Sequence, residues 1–321
     1  MKRIGVFTSG GDAPGMNACI RAVVRASIYN DLEIYGINSG YTGMIRGDIF
    51  PMDARSVSNT VQRGGTILKS SRSDEFRTPE GRKKAFKQLQ KAGIEGLVAI
   101  GGDGTFAGAR ALASEFRIPV VGAPGTIDND LYGTDYTIGY DTALNTAMAA
   151  IDKIRDTADS HSRLFFVEVM GRDAGFIALN TGIASGAEAV LIPEQETSLE
   201  EVIGKLEKGR HKTSSIIIVA EGDDGGGAYE IARKVEEKFT HYDTRVVILG
   251  HIQRGGSPTC LDRVLASRMG SAAVEALQEG MSNIMVGMVN GEIKYTSFDK
   301  ACKYHQEINR NLLNLVDVLS V

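Results

Sequence analysis

Cysteine is scarce in this chain of 321 residues. Cys19, Cys260 and Cys302 are odd in number and stand at no metal-ligand spacing, so neither a disulfide framework nor a cysteine-ligated metal site is on offer. Proline is low at 7 while glycine reaches 38, the balance expected where many strands turn tightly into helices. No apolar run reaches membrane-spanning length and no segment reads as a signal peptide, so the expectation is a cytoplasmic protein that does not engage a membrane. Positive charge is not in excess: 36 Lys and Arg against 40 Asp and Glu leave a net charge of −4, which argues against a general nucleic-acid binder and requires any basic site to be local. Two common phosphate-binding signatures are missing as well. There is no G-x-G-x-x-G and no Walker A loop, so neither a dinucleotide fold nor a P-loop ATPase is signalled.

What the chain does contain is strands that run into glycine and charge. Gly96 to Ile100 is a short apolar run, followed by Gly101-Gly102-Asp103-Gly104-Thr105 and an Ala-rich helical segment from Phe106 to Phe116. A strand that turns through glycines into a helix lets backbone approach an anion and offers it helix N-terminal amides. Asp103 would repel a bare phosphate there. It makes sense as a Mg²⁺ ligand beside phosphates, or as a plain helix cap. Arg3 to Thr8 runs into Ser9-Gly10-Gly11-Asp12 and a helix from Asn17 to Tyr29, a second device of the same build. An irregular stretch follows Ile37, with short strands and a helix around 54–61, and then a polar loop carrying Arg72, Ser73 and Arg77.

Further strands end in Pro124-Gly125-Thr126-Ile127-Asp128-Asn129-Asp130, in Met170-Gly171-Arg172, in Glu221-Gly222 and in Gly250-His251-Ile252-Gln253-Arg254-Gly255-Gly256. Helical segments alternate with them. The expected class is therefore α/β, as two Rossmann-like three-layer α/β/α domains with mainly parallel sheets and ligands beyond the C-terminal strand ends. Strand-like alternation would put Asp128 and Asp130 on one side of an extended segment, where two carboxylates can divide base and metal-supporting roles. Arg72, Arg77, Arg163, Arg172, Arg245 and Arg254 are candidate phosphate cations, because a guanidinium fork donates two parallel hydrogen bonds. A separate basic set comprises Arg21 and Arg25 on one helix face, Arg155, Arg210 and Lys212; by pattern alone it reads as a solvated surface.

Taken together and in order, these blocks resemble the bacterial ATP-dependent 6-phosphofructokinases over essentially the whole chain. Pro124 to Asp130 and the block from Gly250 to Pro258 are the specific ones; the Gly101 to Thr105 turn alone is shared with lipid and NAD kinases. The resemblance implies phosphorylation of fructose 6-phosphate to the 1,6-bisphosphate. It assigns catalysis to Asp128, the base, with Arg172, Arg72 and Gly11, and the metal, Mg²⁺, to Asp103. ATP falls to Gly11, Arg72, Ser73, Gly102, Asp103, Gly104 and Thr105. The sugar phosphate falls to Thr126, Ile127, Asp128, Met170, Gly171, Arg172, Glu221, His251 and Arg254, with Arg163 and Arg245 reaching it from a neighbouring subunit of a homotetramer. Arg21, Arg25, Arg155, Glu188, Arg210 and Lys212 match the family's effector site for ADP or phosphoenolpyruvate, where Asn59 replaces an aspartate.

Residues 1–138 with 251–305 would form an ATP-binding domain, and 139–250 with 306–321 a domain for the sugar phosphate. Pyrophosphate-using relatives carry Asp at the position of Gly104 and Lys at that of Gly125, so ATP is the expected donor. The competing readings are another kinase sharing only the Gly101 to Thr105 turn, or a catalytically silent sugar-phosphate sensor, which should lack Asp128 or Asp103.

Overall fold

The computed structural model describes residues 1–161, 163–208, 215–239 and 243–320. In chain order it begins with Arg3–Thr8 (β1), Met16–Tyr29 (α1), Glu33–Ile37 (β2), Gly40–Arg46 (α2), Ile49–Met52 (β3), Pro79–Ala92 (α3), Gly96–Gly101 (β4), Asp103–Phe116 (α4) and Val120–Pro124 (β5). Tyr140–His161 (α5) leads to Arg163–Val169 (β6), Phe176–Ser185 (α6), Ala189–Leu191 (β7), Leu199–Lys208 (α7), Ser215–Ala220 (β8), Gly227–Lys238 (α8) and Asp243–Ile248 (β9). Cys260–Gln278 (α9), Ile284–Val289 (β10), Glu292–Ser297 (β11), Phe298–Lys303 (α10) and Arg310–Leu319 (α11) complete it. None of the described helices is long and apolar enough to cross a membrane.

The chain divides into two compact units. The first holds Met1–Ile127, Leu131–Thr142 and Arg254–Gln306; the second holds Asp128–Asp130, Ala143–Gln253 and Glu307–Val321. In the first unit the sheet order is β11-β10-β5-β4-β1-β2-β3, with β3 and β11 antiparallel at the edges and parallel pairing between. All six residues of β4 are buried, as a strand covered on both faces requires. Alternate residues Phe7, Leu97, Ala99 and Val120 join Tyr41, Leu89, Phe106 and Phe298 in one core cluster. The helices form where local chemistry permits. Pro79 opens α3 without losing a hydrogen bond, Thr78 caps it by accepting from the Gly81 N–H, and Gly93 closes it at φ 70°.

Strand order fixes where a ligand can enter. From β1 the chain builds outward through β2 and β3, then returns to add β4 and β5 on the other side of β1. The crevice at such a reversal lies outside the C-terminal ends of the strands, here β1 and β4, both of which run into glycine turns.

The helix around 54–61 expected from sequence does not form; residues 54–59 are turns. Asp53 Oδ1 accepts from the backbone N–H groups of Arg55 and Ser56 and from the Ser56 hydroxyl, and Asn59 adopts φ 54°. Side-chain capping of this kind competes with a helix ladder.

Asp262 fastens the start of α5 to α9. Fully buried, it accepts from the Gly139 N–H, the Thr142 N–H and the Thr142 hydroxyl. Burial outweighs these donors and pushes its carboxyl up to about 6. The folded protein thus holds this proton more tightly than the unfolded chain does. The stability it supplies is present at low pH and is lost as pH rises from about 4 to about 6, by up to about 3 kcal/mol. Urea midpoints of the wild type should fall across that window more steeply than those of Asp262→Asn; equal slopes would remove Asp262 as the cause.

The second unit has a parallel sheet of order β7-β8-β6-β9 among the described residues. All six residues of β8 are buried, and each large aliphatic side chain there contributes about 1.5–3 kcal/mol. Glu168 on β6 accepts from the Ala228 N–H in the first turn of α8, a favourable place for a carboxylate. Strand β6 ends at Met170-Gly171-Arg172, β8 at Glu221 and β9 just before His251.

Candidate active site

In the first unit three strand-end turns meet. Ser9 follows β1 and its N–H donates to Ile100 O at 3.1 Å. The Thr105 hydroxyl, buried in the first turn of α4, donates back to Ser9 O at 3.0 Å. A Cβ on Gly101 would lie 2.3 Å from Thr105 Oγ1 and 2.5 Å from Ser9 O, so only glycine lets the turns after β1 and β4 close on each other. The turn after β5 joins them: a Cβ on Gly102 would stand 3.7 Å from Thr126 Cβ. Thr126 O accepts from the buried Thr137 hydroxyl at 2.6 Å, and Ile127 is fully buried.

Asp103 is the first residue of α4, the turn of a helix where a negative charge is favoured. Among the described residues no three His, Cys, Asp or Glu side chains converge to hold an ion. A site without a protein cage fits Mg²⁺, which keeps several waters and takes other ligands from phosphates, and Asp103 is the carboxylate that would hold it.

The loop with Arg72 and Ser73 is held against this corner. The Ser70 hydroxyl donates to Gly10 O at 2.6 Å, and the Ser71 hydroxyl to Ser39 O at 2.8 Å. Beyond Ser73, Phe76 stacks on Tyr41 with ring centroids 3.9 Å apart, and the Tyr41 hydroxyl donates to Thr105 O at 2.6 Å. Tyr41 therefore ties the arginine loop to the glycine turn of α4. No motif marks it, because its partners lie far along the chain. Arg254 also arrives from a distance: its Nη1 donates to Asp12 O at 3.3 Å, and a Cβ on Gly11 would meet Nη1 at 2.6 Å. Gly11 thus provides the space in which the Arg254 guanidinium lies.

In the second unit Asp128 is 3 % exposed, with Oδ2 3.6 Å from Arg172 Nε. The extended arrangement expected for Asp128 to Asp130 is not found. Residues 127 and 128 form a bend and Asn129 takes φ 54°, a conformation that asparagine tolerates better than most residues, so simple alternation does not apply. Arg172 itself has φ 53°, an unusual conformation of the kind that concentrates at functional sites. Its N–H donates to Glu221 Oε1 at 2.7 Å, and a Cβ on Gly222 would lie 2.0 Å from Arg172 O, so the turn after β8 abuts the turn after β6. Gln253, fully buried, accepts from the Met170 N–H at 3.3 Å and donates to Gly250 O at 3.1 Å. It links the Met170 turn to the segment carrying His251, an orienting role that the sequence motif does not disclose.

Arg163 and Arg245 lie elsewhere. Arg163 opens β6, about 20 Å of strand from Met170. Both guanidiniums pair with Asp243, at 3.0 and 2.5 Å. Of the second basic set, Arg25 Nη2 donates to Ala54 O at 3.2 Å, with Arg21 one turn before it on α1. In the second unit Arg155 Nη2 donates to Ser185 O at 2.5 Å, and Glu188 is 6 % exposed. Arg210 and Lys212 lie outside the described residues.

Comparison with known proteins gives one family. The phosphofructokinase family model matches residues 3–277. The chain is 59 % identical over 322 residues to an ATP-dependent 6-phosphofructokinase of Cytophaga hutchinsonii, covering all of this chain and 98 % of that one. It is also 59 % identical to ATP-dependent 6-phosphofructokinase 1 of Thermus thermophilus, with both chains fully covered. Among solved structures, phosphofructokinase from Saccharomyces cerevisiae superposes with a TM-score of 0.87 at 37 % identity, over 94 % of this chain and 45 % of that one. A pyrophosphate-dependent phosphofructokinase from Marinobacter aquaeolei shares the fold at TM-score 0.84 and 19 % identity, over 98 % and 91 % of the two chains.

Proposed function

The chain belongs to the phosphofructokinase family, and from that premise we propose that it transfers the γ-phosphoryl group of ATP to the 1-hydroxyl of fructose 6-phosphate, a step of glycolysis. The observation that carries the reading is Asp128, a buried carboxylate beside the Arg172 guanidinium.

The chemistry follows from the groups present. Asp128 accepts the proton of the 1-hydroxyl as its oxygen bonds to the γ-phosphorus, and the bond from that phosphorus to the β,γ-bridging oxygen breaks to release ADP. Arg172 and Arg72 stabilise the charge that spreads over the transferring oxygens, and the amides around Gly11, Gly102 and Gly104 hold the nucleotide phosphates without a side chain in the way. Asp103 would hold Mg²⁺, which when bound neutralises phosphate charge. Met170, Gly171, Arg172, Glu221, His251 and Arg254 bind the sugar phosphate. In this reading the first unit is the ATP domain and the second serves the sugar phosphate.

Arg163 and Arg245, remote from Met170 along their own sheet, serve the site of a neighbouring subunit in a homotetramer. Arg21, Arg25, Arg155, Glu188, Arg210 and Lys212 form an effector site for ADP or phosphoenolpyruvate. The setting is the cytoplasm, with no nucleic acid or membrane as partner.

An assay of the purified protein with fructose 6-phosphate and Mg²⁺ tests this. ATP should support bisphosphate formation and pyrophosphate should not; turnover with neither donor would refute the reading. A finer test is Gly11→Ala. The three atoms nearest its methyl all belong to the flexible end of Arg254, so melting should be unchanged, while the displaced guanidinium should cost roughly tenfold to a hundredfold in kcat/KM for the sugar phosphate, beyond any loss in kcat/KM for ATP from crowding the nucleotide phosphates. An unchanged kcat/KM would separate Arg254 from substrate binding.

A further inference from the structure

Asn17 takes no part in the chemistry above, yet it is built as though much depends on it. The second residue of α1, it is 1 % exposed. Its Nδ2 donates to Arg63 O at 3.0 Å and Gly64 O at 3.1 Å, and its Oδ1 accepts from the Ile67 N–H at 2.7 Å. All three bonds go to one irregular segment, 46 to 50 residues along the chain. Only a carboxamide supplies two donors and an acceptor in this arrangement; an aspartate would turn a carboxylate oxygen toward two carbonyls.

A buried amide can serve stability alone. What sets this one apart is where the held segment leads in both directions. Upstream, a Cβ on Gly64 would lie 2.2 Å from Gly256 O, and the Ser257 hydroxyl donates to Gln62 O at 2.8 Å. The stretch around Gly64 is therefore the backing of the turn that immediately follows Arg254. Downstream, Leu68 O accepts from the Ser39 N–H at 2.8 Å. Lys69 sits at φ 56° with its carbonyl accepting from the buried Thr8 hydroxyl at 2.8 Å, and Ser70 is bonded to Gly10 O. Arg72 follows two residues later. A segment anchored from residue 62 to residue 70 leaves the Arg72 backbone little freedom.

We infer that Asn17, seconded by Thr8, is a positioning residue for both Arg72 and Arg254: one buried carboxamide sets the placement of two phosphate cations by fixing the segment that abuts them. This rests on the kinase reading proposed above.

The test is a double-mutant cycle on kcat/KM for ATP, with wild type, Asn17→Ala, Arg72→Ala and the double variant. Wild-type turnover of ATP and fructose 6-phosphate is scored first; its absence counts against the kinase reading, not against this one. If Asn17 acts through Arg72, Asn17→Ala should cost roughly tenfold to a hundredfold in the wild-type background and less than about threefold once Arg72 is gone. A parallel cycle with Arg254→Ala, read in kcat/KM for the sugar phosphate, should show the same loss of effect. Additive losses in both cycles, as a purely structural role predicts, or no loss at all, would overturn the inference. Should Asn17→Ala fail to fold, Thr8→Val takes its place. It is close to isosteric and removes the anchor at Lys69, so non-additivity with Arg72→Ala is expected and additivity overturns the proposal.

Discussion

Asp128→Asn should lower kcat by roughly 10²–10⁴-fold, the range a positioned general base supplies. The substitution is nearly isosteric, so the bend at residues 127 and 128 and the left-handed Asn129 have no steric reason to change. What is lost is the carboxylate proposed to accept the hydroxyl proton and the charge that faces Arg172 at 3.6 Å. KM for ATP should move little, because the groups assigned to the nucleotide belong to the turns after β1 and β4 and to the Arg72 loop. Steady-state kinetics with both substrates varied checks this. A kcat loss below tenfold would falsify the role, and a large rise in KM for ATP at unchanged kcat would show that the residue binds rather than reacts.

The parts of this molecule legible in sequence are those whose causes are local. Helix α3 is bounded by a proline at its first position and a glycine after its last, so Pro79–Ala92 can be read without a structure. The strand-end groups are local too: each glycine turn sits directly after its own apolar run. Hairpin β10–β11 carries a local signal in Asn290-Gly291, at φ 52° and 79°, and the strand reading above passes over it. Helix α6 is harder. Phe176–Leu179, Thr181 and Gly182 are all buried, and a helix covered on nearly every side shows no polar face from which to read its period.

Within the site, residues could be assigned singly but not in combination. That Gly11 makes room for Arg254, that Tyr41 ties the Phe76 loop to Thr105, and that Gln253 holds the Met170 turn are contacts between segments far apart in the chain. Spacing carries no trace of them. The kink at Asn129 is the opposite case, a local feature that the alternation rule conceals, because one residue at positive φ resets which way its neighbours face.

The choice of donor can be tested at Gly104, and here the expected effect is also large. Gly104 is the second residue of α4, and a Cβ placed on it meets no atom within 4 Å. Gly104→Asp should therefore fold normally, and a carboxylate in the first turn of a helix is favourable by about 0.3–1 kcal/mol. Its cost appears only when ATP arrives. A carboxylate about 4 Å from a nucleotide phosphate at an effective dielectric of about 20 is repelled by about 4 kcal/mol, or roughly a thousandfold in kcat/KM for ATP. Gly125→Lys should behave differently. A Cβ there lies 3.0 Å from Ile100 Cγ2 and 3.1 Å from Met16 Cε, both core side chains, so the substitution should first cost stability, by about 1–3 kcal/mol. The two glycines thus differ in their surroundings, one open and one tight against the core. Melting curves paired with ATP kinetics separate them. A Gly104→Asp protein with normal melting and less than a tenfold loss with ATP would mean that position 104 does not face the nucleotide. A Gly125→Lys protein with unchanged melting would mean that the Ile100 and Met16 side chains give way more easily than their burial implies.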